Sequence, residues 1–246
     1  MNNKKTFRFY IALWVAKSVS FILKLTGRNA TSLPGKIAIR ICPDFLGRLE
    51  KPKTIIGVTG TNGKTTVCNI INDILTANKF DFINNKYGSN IDRGVATTLI
   101  QGSTMLGKAK KDLAVLEIDE RSTRKIFPYV TPTYLVCTNI FRDSLMRHAH
   151  TEFISGILST YIPKETIMIE NADDLISSQI AENNKKIYFS IDRLPTDSDH
   201  CENLTRDIRV CPKCYTTLEY EYVRYHHIEK HIALIVILKH QKQIMY

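Results

Sequence analysis

Between residues 54 and about 192 the chain alternates short apolar runs with segments whose apolar residues recur at helical spacing. The apolar runs at 54–58, 113–118, 134–138, 166–170 and 186–190 predict strands, and the segment 67–75 predicts a helix. Short strands separated by helices predict an α/β fold, a parallel sheet covered by helices on both faces. Upstream, the pattern predicts a helix over 7–25, a turn at Ser32-Leu33-Pro34-Gly35 and a second helix over 36–41. Lys51-Pro52-Lys53 breaks the chain before the first strand. Downstream, 191–210 is polar and turn-rich, 218–223 alternates like a strand, and 232–238 is a purely apolar run that matches neither pattern. No internal repeat is visible. The expected organisation is an N-terminal helical segment (1–50), a central domain (51–200) and a C-terminal region (201–246).

The first predicted helix carries Tyr10, Trp14, Val19, Ile22 and Leu25 mostly on one face. Two readings stay open: a helix packed on the domain, or an interfacial helix lying on anionic lipid. Lys17 and Lys24 inside so short a run argue against a membrane-spanning helix.

The chain has 246 residues, 43% of them hydrophobic, enough for a sizeable core and too many for a disordered composition. Lys and Arg total 34 against 24 Asp and Glu, a net charge of +10. Such a charge suits a solvated basic surface or anionic ligands. Nothing resembles a nucleic-acid-binding signature, so no nucleic-acid partner is expected. Of the six cysteines only Cys211 and Cys214 are closely spaced, and no cleavable signal peptide is visible. Both features suggest a reducing, cytoplasmic setting.

Gly57-Val58-Thr59-Gly60-Thr61-Asn62-Gly63-Lys64-Thr65-Thr66 follows the first predicted strand and opens the next helix. Strand, glycine-rich turn and helix form the context of a phosphate-binding loop. Its backbone amides can close around a polyphosphate, Lys64 supplies a cation, and the Thr65 hydroxyl can reach a magnesium ion. The loop departs from the Walker A spacing, which would want a glycine where Val58 stands. Glu117 lies at the carboxyl end of a predicted buried strand, where open parallel sheets bind ligands, and is placed to hold magnesium beside the loop. Further polar groups close two other strands: Thr138-Asn139-Ile140-Phe141-Arg142-Asp143 and Asn171-Ala172-Asp173-Asp174. Cys211-Pro212-Lys213-Cys214 is half of a zinc site. His226, His227 or His231 can complete it, or the pair can be an unmetallated turn.

The string Thr-Gly-Thr-Asn-Gly-Lys-Thr-Thr resembles the ATP loop of Mur ligases and folylpolyglutamate synthases. Taken in order with Gly94-Val95-Ala96-Thr97, Leu116-Glu117-Ile118-Asp119-Glu120, the two later strand ends, the leader Thr31-Ser32-Leu33-Pro34-Gly35-Lys36 and Cys-Pro-Lys-Cys, the chain is similar over residues 8–228 to the Mur-ligase-like subunits of lipid II isoglutaminyl synthases. The resemblance implies a Mur ligase central domain with a partial zinc ribbon. It implies ATP, magnesium and a zinc half site as cofactors. Gly60, Thr61, Asn62, Gly63, Lys64, Thr65, Thr66 and Asn139 would bind nucleotide. Thr65 and Glu117 would hold magnesium, Cys211 and Cys214 zinc, and Lys64, Glu117 and Asp143 would carry catalysis. The implied reaction is ATP-dependent amidation of the D-glutamate α-carboxyl of lipid II, with ammonia from a glutaminase subunit, at the inner face of the membrane. The other readings are a different Mur or folylpolyglutamate ligase and, from another class, a nucleotide-binding module without catalysis or a zinc-ribbon nucleic-acid binder.

Two departures from the family pattern stand out. Met146 replaces an acid in the segment after Asp143, and the chain ends before the family's C-terminal domain, which implies an incomplete and inactive ligase. The tail from about Glu229 is expected to be out of frame and poorly ordered. With both isoleucines encoded ATT, a frame starting at the third base of the His231 codon spells Cys-x-x-Cys roughly 17 residues after Cys214.

Overall fold

The computed structural model describes residues 4–140, 151–198, 217–225 and 228–233. Helix α1 (Phe7–Leu25) starts where the Thr6 hydroxyl accepts the Phe9 amide, and α2 (Leu33–Ile41) takes Pro34 into its first turn. That proline is why α2 begins three residues before the expected 36. A short α3 (Phe45–Arg48) leads to β1 (Thr54–Thr59). Then come α4 (Lys64–Ala77), β2 (Phe82–Asn84), α5 (Asp92–Gln101), β3 (Leu113–Glu117), α6 (Thr123–Ile126) and β4 (Tyr134–Cys137). After the undescribed stretch follow α7 (Thr151–Tyr161), β5 (Ile167–Asn171) and β6 (Lys186–Phe189). The hairpin β7 (Leu218–Tyr225) and β8 (Ile228–Ala233) completes the described chain.

Strands β1 to β6 form one parallel sheet in the order β2-β3-β1-β4-β5-β6. Alternate residues face opposite layers. Ile55, Ala114, Leu116, Leu135, Cys137 and Met168 enter the larger core, shared with α1, α2, α5, α6 and α7. Val58, Val115 and Val136 enter a smaller one against Val67, Cys68, Ile71 and Leu75 of α4. The expected helices on both faces are therefore present. From β1 the chain moves out to β2 and β3, and from β4 to β5 and β6 on the other side. The strand order reverses between β1 and β4, and the crevice of such a sheet lies there, at the strands' carboxyl ends.

Several sequence expectations need correction. The helix after the phosphate loop starts at Lys64, not 67, because the loop ends directly in the helix's first turn. Strand β2 was not expected: its three half-buried residues at the sheet edge give too short a pattern. The inward face of α1 is not Tyr10, Trp14, Val19, Ile22 and Leu25. Phe9, Ala12, Leu13 and Ala16 are fully buried, with Phe9 stacked on Phe45 at 5.1 Å, while Trp14, Ile22 and Leu25 are exposed. Among the described residues no helix is long and apolar enough to cross a membrane.

The tail was expected to lack a partner from Glu229 onward, yet over 228–233 β8 pairs antiparallel with β7, Leu218 opposite Ala233 and Val223 opposite Glu229; residues 234–246 lie outside the described residues. The alternating Leu218-Glu219-Tyr220-Glu221-Tyr222 pattern supplies the edge on which it pairs. Tyr222 Oη donates to the Ile191 carbonyl at 2.9 Å. The zinc-ribbon expectation falls on Cys211 and Cys214, outside the described residues. Among the described ones no group of three or more His, Cys, Asp or Glu gathers as a metal site.

Candidate functional site

The loop leaves β1 at Thr59 and turns sharply at Gly60, whose φ of +123° is open only to glycine. A Cβ at Gly60 would also meet Thr138 Oγ1 at 2.2 Å. At Gly63 a φ of +81° redirects the chain into α4. The first amides of α4 have no intrahelical acceptor by helix geometry, so the loop ends in a cluster of outward N–H groups carrying the positive end of the helix dipole.

The neighbouring strand holds this loop in shape. The Thr61 amide donates to the Asn139 carbonyl (2.8 Å) and the Asn62 amide to Asn139 Oδ1 (3.0 Å). Asn139 Nδ2 and Thr138 Oγ1 both donate back to the Asn62 carbonyl, at 3.1 and 2.7 Å. Asn139 is thus turned into the loop backbone. Behind it, Asn171 Nδ2 donates to the Thr138 carbonyl (3.1 Å), and the Ile140 amide donates to Asp174 Oδ2 (2.7 Å). The polar residues ending β4 and β5 therefore brace one another's backbone. Of these, sequence reading had assigned only Asn139 to the nucleotide.

Two side-chain pairs stand over the loop. Thr65 Oγ1, in the first turn of α4, donates to Glu117 Oε2 at 2.9 Å. Glu117 is fixed from behind: its amide and carbonyl bond Asn85 at 2.8 and 2.9 Å, and Asn90 Nδ2 donates to its Oε1 at 3.1 Å. Lys64 Nζ donates to the Gly60 carbonyl, to the Thr61 carbonyl (3.0 Å) and to Glu120 Oε1 (3.2 Å). Burial pushes the Glu120 carboxyl above its usual range, and the Lys64 charge pulls it back. Sequence reading did not place Glu120 at the site; its signal was only its adjacency to Glu117 and Asp119. Thr66 is exposed in the first turn of α4, and Asp143 and Met146 lie outside the described residues.

A hydroxyl and a carboxylate at contact distance are hard oxygen ligands. Magnesium is commonly bound by one or two such groups together with substrate phosphates and water. Thr65 and Glu117 fit that chemistry.

Farther along the sheet, Glu170 is fully buried with Lys186 Nζ 2.9 Å from its Oε2. The pair is close but poorly aligned, since neither carboxylate oxygen has a well-directed donor. Lys186 spends its better bonds on the Ser178 and Ile180 carbonyls, at 2.8 and 2.7 Å. Burial raises Glu170 to about 7, against the pull of Lys186. In register Glu170 stands beside Cys137, which in turn stands beside Thr59 at the end of β1.

A parallel sheet whose central strand runs into a glycine-rich loop and a helix, at the reversal of strand order, defines a phosphate-loop α/β protein. Residues 58–235 match the Mur ligase middle domain, and the chain belongs to that family. It is 32% identical over 224 residues to the lipid II isoglutaminyl synthase (glutamine-hydrolyzing) subunit MurT of Staphylococcus aureus, covering 90% of this chain and 50% of that protein. Its identity to the Streptococcus pneumoniae MurT is 33% over 243 residues, 95% of this chain and 51% of that one. The chain thus spans about half the length of the curated relatives it matches. Among solved structures it superposes on MurF from Acinetobacter baumannii with a TM-score of 0.50 at 20% identity, over 66% of this chain and 38% of that one, a likeness of fold alone.

Proposed function

We propose that this chain is the ATP-binding, carboxylate-activating part of a carbon–nitrogen ligase of peptidoglycan synthesis, working at the cytoplasmic side of the membrane. The observation that carries the proposal is the 2.9 Å pairing of Thr65 and Glu117 beside Lys64, over a loop whose shape β4 holds. Residues 51–200 form the ATP-binding unit, with 1–50 as a helical segment on it and 201–246 as an appended zinc-ribbon-like region.

In this reading the amides opening α4 cradle the ATP phosphates, and Lys64 exchanges Glu120 for a phosphate oxygen. Thr65 and Glu117 would hold magnesium, which when bound neutralises charge on the transferring phosphoryl group. Thr138 and Asn139 keep the cradle from collapsing when empty. The similarity to the MurT subunits supports the finer substrate. ATP phosphorylates the D-glutamate α-carboxyl of the lipid II stem peptide, releasing ADP. Ammonia from a glutaminase partner then displaces phosphate and leaves the amide, with Asp143 contributing to that chemistry. The acyl phosphate must be shielded from water until ammonia arrives.

Calorimetry with ATP tests the nucleotide reading. Saturable, magnesium-dependent binding is expected, and no binding to the wild-type chain overturns it. Mass spectrometry of stem peptides after depletion of the gene tests the substrate. The amidated fraction should fall, and an unchanged fraction excludes lipid II amidation.

A further inference from the structure

Helix α1 is apolar on two opposite sides. Its inward face, Phe9, Ala12, Leu13 and Ala16, is fully buried. On the outward face Phe7, Ile11, Trp14, Ser18, Phe21 and Leu25 recur at alternating spacings of four and three, with Val15 and Ile22 alongside. At 3.6 residues per turn this stripe points roughly 180° from the buried one. It is open to solvent: Phe7 is 77% exposed, Phe21 63%, Ile22 57% and Leu25 71%. Met105 and Leu106 extend it, also exposed, because Trp14 Nε1 donates to the Met105 carbonyl (3.0 Å) and Lys5 Nζ to the Leu106 carbonyl (2.9 Å). An apolar stripe of this kind, broken only at Ser18, marks a contact surface.

Charge selects the occupant. Residues 1–43 contain eight Lys or Arg and no Asp or Glu, while the rest of the chain holds 26 basic and 24 acidic residues. Most of the net charge of +10 therefore sits on this segment. Arg8 flanks the stripe on one side, Lys17 and Lys24 on the other; Lys4, Arg8, Lys24, Arg28, Lys36 and Arg40 are exposed. A second copy packed on the stripe would set these cations against their own kind. An anionic surface would pair with them.

We propose that the outward face of α1, with Met105 and Leu106, lies flat on an anionic lipid bilayer. Trp, Phe and Leu on one face with Lys and Arg at its margins is the composition of an interfacial helix, and α1 is too polar to span. The proposal stands on this surface and is independent of the ligase reading.

The sole tryptophan of the chain, Trp14, lies on the stripe and reports docking directly. The probe is unilamellar vesicles of phosphatidylcholine, with or without about 30 mol% phosphatidylglycerol. The whole chain should float with the anionic vesicles, blue-shift its Trp14 emission and be quenched by brominated acyl chains. Partition should be about ten-fold stronger than onto neutral vesicles and should weaken with salt. Phe21→Asp/Ile22→Asp should lose about ten-fold or more in partition. Lys24→Glu/Arg28→Glu should remove the preference for anionic lipid. Both variants change exposed positions, and unchanged circular dichroism and unchanged ATP binding establish that they fold. Three results overturn the proposal: no partition of the wild-type chain, equal partition of the double-aspartate variant, or a concentration-dependent dimer abolished by that variant without vesicle binding.

Discussion

Replacing Lys64 by alanine separates two tasks of one ammonium group. The Lys64 and Glu120 side chains are only 14% and 11% exposed, so the near-zero value of a surface ion pair does not apply. Without Lys64, the Glu120 carboxylate loses its cation at a place where burial already raises its pKa. The expected stability loss is about 1–3 kcal/mol, the cost of an uncompensated buried polar group. For ATP the lost contact is a charge-assisted one, about 1.5–3 kcal/mol, or roughly 10- to 150-fold in Kd. The two effects come apart in the double variant Lys64→Ala/Glu120→Gln. A neutral amide needs no cation, so stability should return while affinity stays low. Urea unfolding reads the first quantity and calorimetry with magnesium and ATP the second. Binding by Lys64→Ala within about two-fold of wild type, or recovery of affinity in the double variant, would refute the assignment of Lys64 to the phosphates.

Glu117→Gln keeps an acceptor for Thr65 Oγ1 but removes the charge, so ATP binding with magnesium should weaken more than binding without it; equal losses would give Glu117 a purely structural role. Asn139→Ala removes two bonds to Asn62, worth about 2 kcal/mol of loop order, and should weaken ATP binding while leaving its magnesium dependence intact, as titration at several metal concentrations will show. Glu170 is raised from 4.5 to about 7, so between those values the folded chain keeps a proton the unfolded chain releases. Stability should therefore fall as pH rises through that window, by at most about 3 kcal/mol, and Glu170→Gln should flatten the profile; a rise over the same range contradicts this account.

Five of the six sheet strands were legible as short, mostly apolar runs, and their ends fall within about one residue of the pattern, although β6 is a half-exposed edge strand. The meeting of Thr65 with Glu117 was legible too, since a helix opened by the loop and a strand beside β1 must bring those ends together. What the pattern hid were relations of direction. Asn139 stands at a strand end as a ligand would, yet its amide is consumed by Asn62. Glu120 follows the acid that drew notice, and only the turn after β3 brings it to Lys64. Helix α1 has apolar residues on both sides, so periodicity gave its length and not which side faces inward. Strand β8 was missed because Ile228–Ala233 shares only two residues with the apolar run and carries Glu229 and Lys230, so no strand pattern shows until the partner edge of β7 is known.

The phosphate loop takes its shape from a strand that lies 77 residues downstream. Neither β1 nor α4 can set that shape alone, because the bonds that fix Thr61 and Asn62 come from Thr138 and Asn139. During synthesis the chain emerges with its loop sequence complete long before β4 exists, and contacts of such separation form only after the intervening segment has closed. Under the proposed function, nucleotide capture is therefore a late event in the life of the nascent chain: a partly made protein has the lysine but not the loop shape that Thr138 and Asn139 fix.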